Sequence, residues 1–176
     1  VIIVTSPPTS VSYGVNPAIY CPGSAIAANN PTVVGGAAPL YSVSPALPGG
    51  LSLNTATGVI NGTPTTATLA ANYTVTASNT CGAVTVPLNI TISPAAPTAL
   101  TYSANTPAYC MGTAIANNTP SNTGGISTAY SVSTALPAVL SIDGVTGIIS
   151  GTPNGVTPSN TYTVTDSNSC GSTTKG

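Results

Sequence analysis

The sequence predicts an all-β protein of two consecutive β-sandwich modules. Three observations lead to this prediction: an internal repeat of 89 residues, stretches in which apolar and small polar residues alternate, and turn-forming clusters between those stretches. Alternation with period two is typical of strands that bury one face. No stretch combines the 3.6-residue apolar period of an amphipathic helix with a capping residue.

The repeat aligns the chain with itself without a gap. The segment "YCPGSAIAANNP" from Tyr20 matches "YCMGTAIANNTP" from Tyr109, and "NYTVTASNTCG" matches "TYTVTDSNSCG". From Cys21 to Cys81, 32 of the 61 positions are identical to their counterparts 89 residues later. The chain therefore contains two copies of one module.

Short strands with turns between them are predicted along each module. "YTVTA", "LSLN" and "VPLNITI" alternate, and "NTATG" (repeated as "DGVTG") predicts a hairpin loop with Gly58 and Gly147 at positive φ. Short strands at this spacing, in a module of fewer than 90 residues, favour an immunoglobulin-like sandwich topology. A small β-barrel is the alternative.

Each module carries one early and one late cysteine at the same offset. The early cysteines are Cys21 and Cys110, and the late cysteines are Cys81 and Cys170. This spacing predicts disulfides Cys21–Cys81 and Cys110–Cys170, each of which would stabilise its module by about 4 kcal/mol in the chain-entropy model. Four free thiols in a reducing compartment are the alternative.

Composition excludes several classes of function. Only Asp143, Asp166 and Lys175 carry a side-chain charge, and the chain has no His, Arg or Glu. Catalytic triads and tuned acid–base pairs therefore have no candidates, and a single lysine cannot neutralise nucleic-acid phosphates. Calcium requires several charged oxygens, whereas the two aspartates fall in separate predicted turns. We expect no enzyme activity, no cofactor or metal site, no nucleic-acid partner and no insertion into a membrane.

The motifs resemble a known family. "LPGGLSLNTATGVINGTPT" followed by "YTVTASNTCG" is similar to the immunoglobulin-like repeats of the He-PIG type, which occur in tandem in large bacterial surface proteins. The second copy departs from the pattern at Ala138 and Val139, where glycine is usual, and this departure affects the expected turn geometry. The resemblance implies tandem immunoglobulin-like modules at the bacterial cell surface, where such repeats serve as stalks, spacers, adhesive modules and filament parts.

The two ends of the sequence are complementary. "VIIVTSPPTSVSY" is in register with "ITISPAAPTALTY" from Ile90, whereas the second module ends at "CGSTTKG" without a counterpart of "LNITIS". We therefore predict a surplus strand and linker at 1–12, module 1 at 13–96, and module 2 at 97–176 with its last strand absent. The predicted intersubunit strand, which would complete the second module of another copy, consists of Val1, Ile2, Ile3, Val4, Thr5 and Ser6. The alternative is a window from a longer tandem array.

These observations predict a structural repeat of an extracellular bacterial filament or surface-appendage shaft, with copies of itself as partners. The alternative is an adhesin module that recognises glycan or another surface. In that alternative, Tyr13, Tyr20, Tyr102 and Tyr109 would form aromatic platforms near the module ends. The same tyrosines are also explained by packing in the core or at the module junction.

Overall fold

The computed structural model describes residues 4–176, and the elements in this range are strands joined by turns and loops. The chain divides into two units, Val1–Ser93 and Pro94–Gly176. The predicted all-β class and the two predicted modules are confirmed.

Unit 1 forms a four-stranded sheet faced by shorter strand pairs. Its strands are β1 (Pro8–Tyr13), β2 (Ala18–Tyr20), β3 (Pro31–Gly35), β4 (Leu40–Ser44), β5 (Leu51–Leu53), β6 (Ile60–Gly62), β7 (Thr68–Asn79) and β8 (Gly82–Ile92). The main sheet has the order β2-β8-β7-β4, and β1 pairs with β3 and β5 with β6. All these pairs are antiparallel except β2 with β8, which is parallel.

The long hairpin of β7 and β8 supplies the core of unit 1. Its alternating sequence places Val75 and Ala77 on the buried face and Thr74 on the exposed face. Leu88, Ile90 and Ile92 of β8 are also buried. Each buried aliphatic side chain contributes about 1.5–3 kcal/mol, so the hairpin and the strands that pack against it form a stable sandwich.

The loop between β5 and β6 confirms the predicted hairpin. The side-chain Oδ1 of Asn54 accepts hydrogen bonds from the backbone N–H groups of Ala56 and Thr57, at 2.9 and 3.0 Å. Gly58 follows at φ 73°. In unit 2, Asp143 takes the place of Asn54, and Gly147 has φ 70°. The turn is therefore specified by one side-chain acceptor and one glycine.

Unit 2 repeats this architecture with a smaller core. Its strands are β9 (Pro97–Tyr102), β10 (Pro120–Gly124), β11 (Ala129–Val132), β12 (Leu140–Ile142), β13 (Ile149–Gly151), β14 (Val164–Asn168) and β15 (Gly171–Lys175). They pair as β11-β14-β15, β9–β10 and β12–β13. The buried hydrophobic cluster here contains Leu100, Tyr102 and Val164.

The first module begins earlier than the sequence predicts. The predicted terminal strand and linker extend over 1–12, but residues 8–12 belong to β1, which pairs with β3. Pro8, Val11 and Tyr13 of β1 are buried in unit 1. The counterpart strand β9 begins at Pro97, where module 2 was predicted to begin.

Candidate assembly site

Each unit has two ends, which we name by the direction of the chain. At the leading end the chain approaches the first strand (β1 in unit 1), and the turn between the two hairpin strands (β7 and β8) lies there too. At the trailing end the last strand of the module finishes. In unit 1 this is the end of β8, beside β2.

The trailing end of unit 1 is held by hydrogen bonds between β2 and the last residues of β8. Tyr20 is in register with Ile92, and the Ser93 N–H donates to the Tyr20 carbonyl at 2.9 Å. Asn16 adds two bonds, since its Nδ2 donates to Pro87 O at 2.8 Å and its Oδ1 accepts from the backbone N–H of Asn89 at 3.0 Å. The strand β2 therefore exists because the end of β8 lies beside it.

The corresponding segment of unit 2 forms no strand. Residues 107–109 are the counterparts of β2, and they lie in irregular structure, with Tyr109 36% exposed. The loop that follows is nevertheless the same in both units, because Gly112 N donates to Pro153 O at 2.8 Å just as Gly23 N donates to Pro64 O. The trailing end of unit 2 is therefore formed up to this loop, and no strand among the described residues 4–176 pairs with residues 107–109.

Hydrogen bonds at the leading end of unit 1 hold the segment that precedes β1. Asn79 Nδ2 donates to Ser6 O at 2.8 Å, and the thiol of Cys81 lies 3.0 Å from Thr5 Oγ1 and 3.3 Å from Thr5 O. Gly36 leaves room for this segment, since a Cβ there would lie 1.7 Å from Ser6 O. Thr5 and Ser6 are therefore fixed against unit 1.

Unit 2 makes the corresponding asparagine hydrogen bonds at its own leading end. Asn168 Nδ2 donates to Ala95 O at 2.6 Å, and the Oδ1 of Asn168 accepts from Cys170 N at 2.8 Å. Asn79 and Asn168 are not among the residues that the sequence predicts to take part in assembly. The signal that identifies them is their retention at the 89-residue offset, next to the late cysteines.

These contacts restrict the predicted intersubunit strand. Val1, Ile2 and Ile3 lie outside the described residues, and the side chain of Val4 is 91% exposed. Because Thr5 and Ser6 contact their own unit, the segment that remains available to another module ends at Val4.

The cysteines contradict the predicted pairs Cys21–Cys81 and Cys110–Cys170. Cys81 and Cys110 are exposed free thiols, whereas Cys21 and Cys170 are disulfide-bonded. Within unit 1, Cys21 follows β2 at the trailing end and Cys81 precedes β8 at the leading end. The 11 residues of β8 separate them, a span of roughly 35 Å at the usual strand rise. A disulfide requires Cα atoms within about 7 Å, so one module cannot bond its own two cysteines.

One of the two aspartates does not lie in the turn that the sequence predicts for it. Asp143 lies in the predicted turn, but Asp166 lies in β14 and is fully buried at the position that Ala77 occupies in unit 1. Its Oδ2 accepts a hydrogen bond from Asn122 Nδ2 at 2.8 Å, and its Oδ1 is buried without a hydrogen-bond partner. The side chain of Asp166 therefore lies in the core, whereas Asp143 lies in an exposed turn.

Two of the four tyrosines considered for an aromatic platform, Tyr13 and Tyr102, lie in the core. Tyr13 and Tyr102 are buried, and their hydroxyl groups donate to the carbonyls of Gly58 and Gly147. Burial and, to a smaller extent, the neighbouring Tyr41 raise the pKa of Tyr13 to about 12. Burial is also the main cause that raises the pKa of Tyr102 to about 12, with smaller effects of Tyr130 and Asp166. Both rings are part of the core.

Within residues 4–176, no group of three or more His, Cys, Asp or Glu side chains is arranged to hold a metal ion. The same residues contain no helix long and apolar enough to cross a membrane.

Comparison with known proteins identifies the modules. The model of the He_PIG family, described as "Putative Ig domain", matches residues 1–93 and again 83–176. The chain belongs to this family. The two matches place one He_PIG module on each unit, as the sequence repeat predicts. A comparison with curated proteins gives no match.

Solved structures with similar folds contain tandem immunoglobulin domains. Drosophila OTK extracellular domains 3–5 match with a TM-score of 0.56 at 14% identity, over 94% of this chain and 60% of that one. The I67–I69 fragment of the titin I-band gives a TM-score of 0.53 at 14% identity, over 98% and 64%. The eight N-terminal Ig domains of the Down syndrome cell adhesion molecule give 0.53 at 16% identity, over 97% and 24%. At these identities, the similarity shows that the He_PIG modules have the immunoglobulin-like fold.

Proposed function

We propose that the protein is a structural repeat of an extracellular bacterial filament or surface-appendage shaft, whose modules join head to tail by strand complementation. One observation carries this proposal. In unit 1, β2 is hydrogen-bonded to Ile90–Ile92, whereas the counterpart segment of unit 2, residues 107–109, forms no strand.

The segment that begins at Val1 has the pattern needed beside residues 107–109. Val1 and Ile3 stand at the repeat positions of the buried residues Ile90 and Ile92, and Ile2 stands at the position of Thr91. An added strand would satisfy the unpaired backbone groups and cover the apolar interior of unit 2. We assign this role to Val1–Val4 of the next copy, and addition at one end repeats without closure to give a filament.

Composition and cysteine chemistry support a structural role outside the cell. The chain offers no catalytic triad and carries 2% charged residues, so contacts between modules depend little on salt. Disulfide-bonded cysteines persist in oxidising, extracellular compartments. No enzyme activity is proposed.

Electron microscopy of Ile3→Asp and Ile2→Thr variants tests the proposal. Ile3→Asp puts a charge at the position of buried Ile92 and is expected to abolish filaments. Ile2→Thr reproduces the Thr91 position and is expected to leave them intact. Filaments formed equally by both variants would refute strand complementation through this segment.

Denaturing electrophoresis under reducing conditions distinguishes separate subunits from a tandem array. Native filaments that dissolve to a band near 17.0 kDa consist of separate chains. A single very large polypeptide would mean that the strand beside residues 107–109 comes from the continuing chain.

A further inference from the structure

The two free thiols lie at different ends of their own modules. Cys110 follows residues 107–109 at the trailing end of unit 2, and Cys81 lies at the leading end of unit 1 beside Thr5. Both are exposed. In a head-to-tail assembly, the trailing end of unit 2 meets the leading end of unit 1 in the next copy.

The repeat supplies an independent observation about these two cysteines. Cys110 is the counterpart of Cys21, and Cys81 is the counterpart of Cys170. The counterparts Cys21 and Cys170, again one early and one late cysteine, are disulfide-bonded in the structure. The two cysteines left free are therefore of the same two kinds as those that are oxidised.

The strand that would complete unit 2 brings Cys81 with it. Val1–Val4 would lie beside residues 107–109, directly before Cys110, and the next residue of the donated chain, Thr5, contacts the Cys81 thiol within its own unit. Strand complementation therefore places Cys110 of one copy close to Cys81 of the next. It brings neither two copies of Cys110 nor two copies of Cys81 together.

We propose that Cys110 of one copy forms a disulfide with Cys81 of the following copy, so that the assembled filament is covalently continuous. This inference rests on the proposed head-to-tail assembly. A small-molecule disulfide is the oxidant. A thiolate displaces one thiol from it, and the second cysteine then displaces the other from the mixed disulfide. Two protein thiols become one disulfide, and the oxidant is reduced to two thiols.

The experiment uses the full chain, purified with a reductant, freed of it, and oxidised with oxidised glutathione. Non-reducing denaturing electrophoresis should show wild-type bands at multiples of 17.0 kDa that collapse to one band on reduction. Cys81→Ser and Cys110→Ser each retain one of the two thiols. Mixed in equal amounts, they should give a dimer at several times the yield of either variant alone. The double variant should run as a monomer.

The double variant also separates this proposal from strand complementation. Filaments of Cys81→Ser/Cys110→Ser that dissolve to monomers in detergent without a reductant, beside wild-type filaments that do not, support both ideas. Wild-type filaments that dissolve to monomers with both thiols titratable would overturn the disulfide and leave the assembly standing. Dimers that form equally well from either single variant would mean like-with-like pairing and would overturn both the assigned pair and the head-to-tail polarity. If the wild-type chain forms neither filaments nor a ladder, both proposals fail.

Discussion

Replacing Val139 by glycine should relieve backbone strain in unit 2. Val139 has φ 71°, in the left-handed region, where the counterpart Gly50 has φ 88°. This conformation lowers the stability of the folded state by about 1–2 kcal/mol when the residue has a side chain, and a β-branched residue is an outlier there. The hairpin β12–β13 follows directly, so the strained position belongs to the fold and not to a free end.

The magnitude is best measured against a matched control. Val145→Gly makes the same chemical change at a loop position that is also exposed, 73% against 59% for Val139, and that lacks positive φ. Both changes lose a similar apolar contact and add the same freedom to the unfolded chain, about 0.5–1 kcal/mol. The difference between the two variants is then the strain itself, about 1–2 kcal/mol in favour of Val139→Gly. For a unit of this size, 1 kcal/mol corresponds to about 4–8 °C in Tm.

Calorimetry of the full oxidised chain provides the assay. The Tm of the unit 2 transition should be at least about 4 °C higher in Val139→Gly than in Val145→Gly. The reverse substitution, Gly50→Val, should lower the stability of unit 1, because a Cβ there would lie 1.9 Å from Thr63 O. Equal melting temperatures for Val139→Gly and Val145→Gly would refute the strain argument.

Three further predictions concern the polar groups. The pKa of Tyr13 and Tyr102 is about 12 in the folded chain, against about 10 in the unfolded chain, so their contribution to stability is complete below pH 10 and is lost as the pH rises towards 12. An absorbance titration should show these phenols ionising together with unfolding. The backbone N–H groups of Thr146 and Val145 lower the pKa of Asp143, so the contribution of Asp143 to stability is present above about pH 4 and is lost on acidification. Asp143→Asn should therefore weaken the dependence of Tm on pH below 4. Asp166→Ala combined with Asn122→Val recreates the residues of unit 1 and should raise the free energy of unfolding by about 1–3 kcal/mol, whereas Asn122→Val alone should lower it.

The sequence predicts the strands because their determinants are local. Alternation in "YTVTA" and the turn "NTATG" each depend on a few neighbouring residues, and both are found where they were expected. The parallel contact of β2 with β8 depends on residues about 70 positions apart and has no local pattern. This contact decides which end of the module carries Cys21, so spacing alone could not give the disulfide pairs.

The buried position of Asp166 can be recognised by comparing the two copies of the module. The segment "TVTDSN" aligns with "TVTASN", in which Ala77 is fully buried. Charge near a turn-forming "SN" suggested a turn, whereas the alternation of the other copy places position 166 on the inner face. Asn122, its hydrogen-bond partner, likewise stands where Val33 stands in unit 1. Two polar substitutions in facing strands compensate each other, and this becomes visible only when the strands are paired.

The positions of the cysteines bear on the proposed function as well as on the fold. A module that closed its own disulfide would be stabilised by it and would have no thiol left for a neighbour. Here Cys81 lies at the leading end of unit 1 and Cys110 at the trailing end of unit 2, so neither can form a disulfide within its own module. Both are exposed at the ends that would meet in a head-to-tail assembly. Strand complementation alone would be reversible, with a strength set by a few residues such as Val1 and Ile3. A disulfide at the same junction would make the join covalent, so resistance of native filaments to detergent until a reductant is added is the behaviour this arrangement predicts.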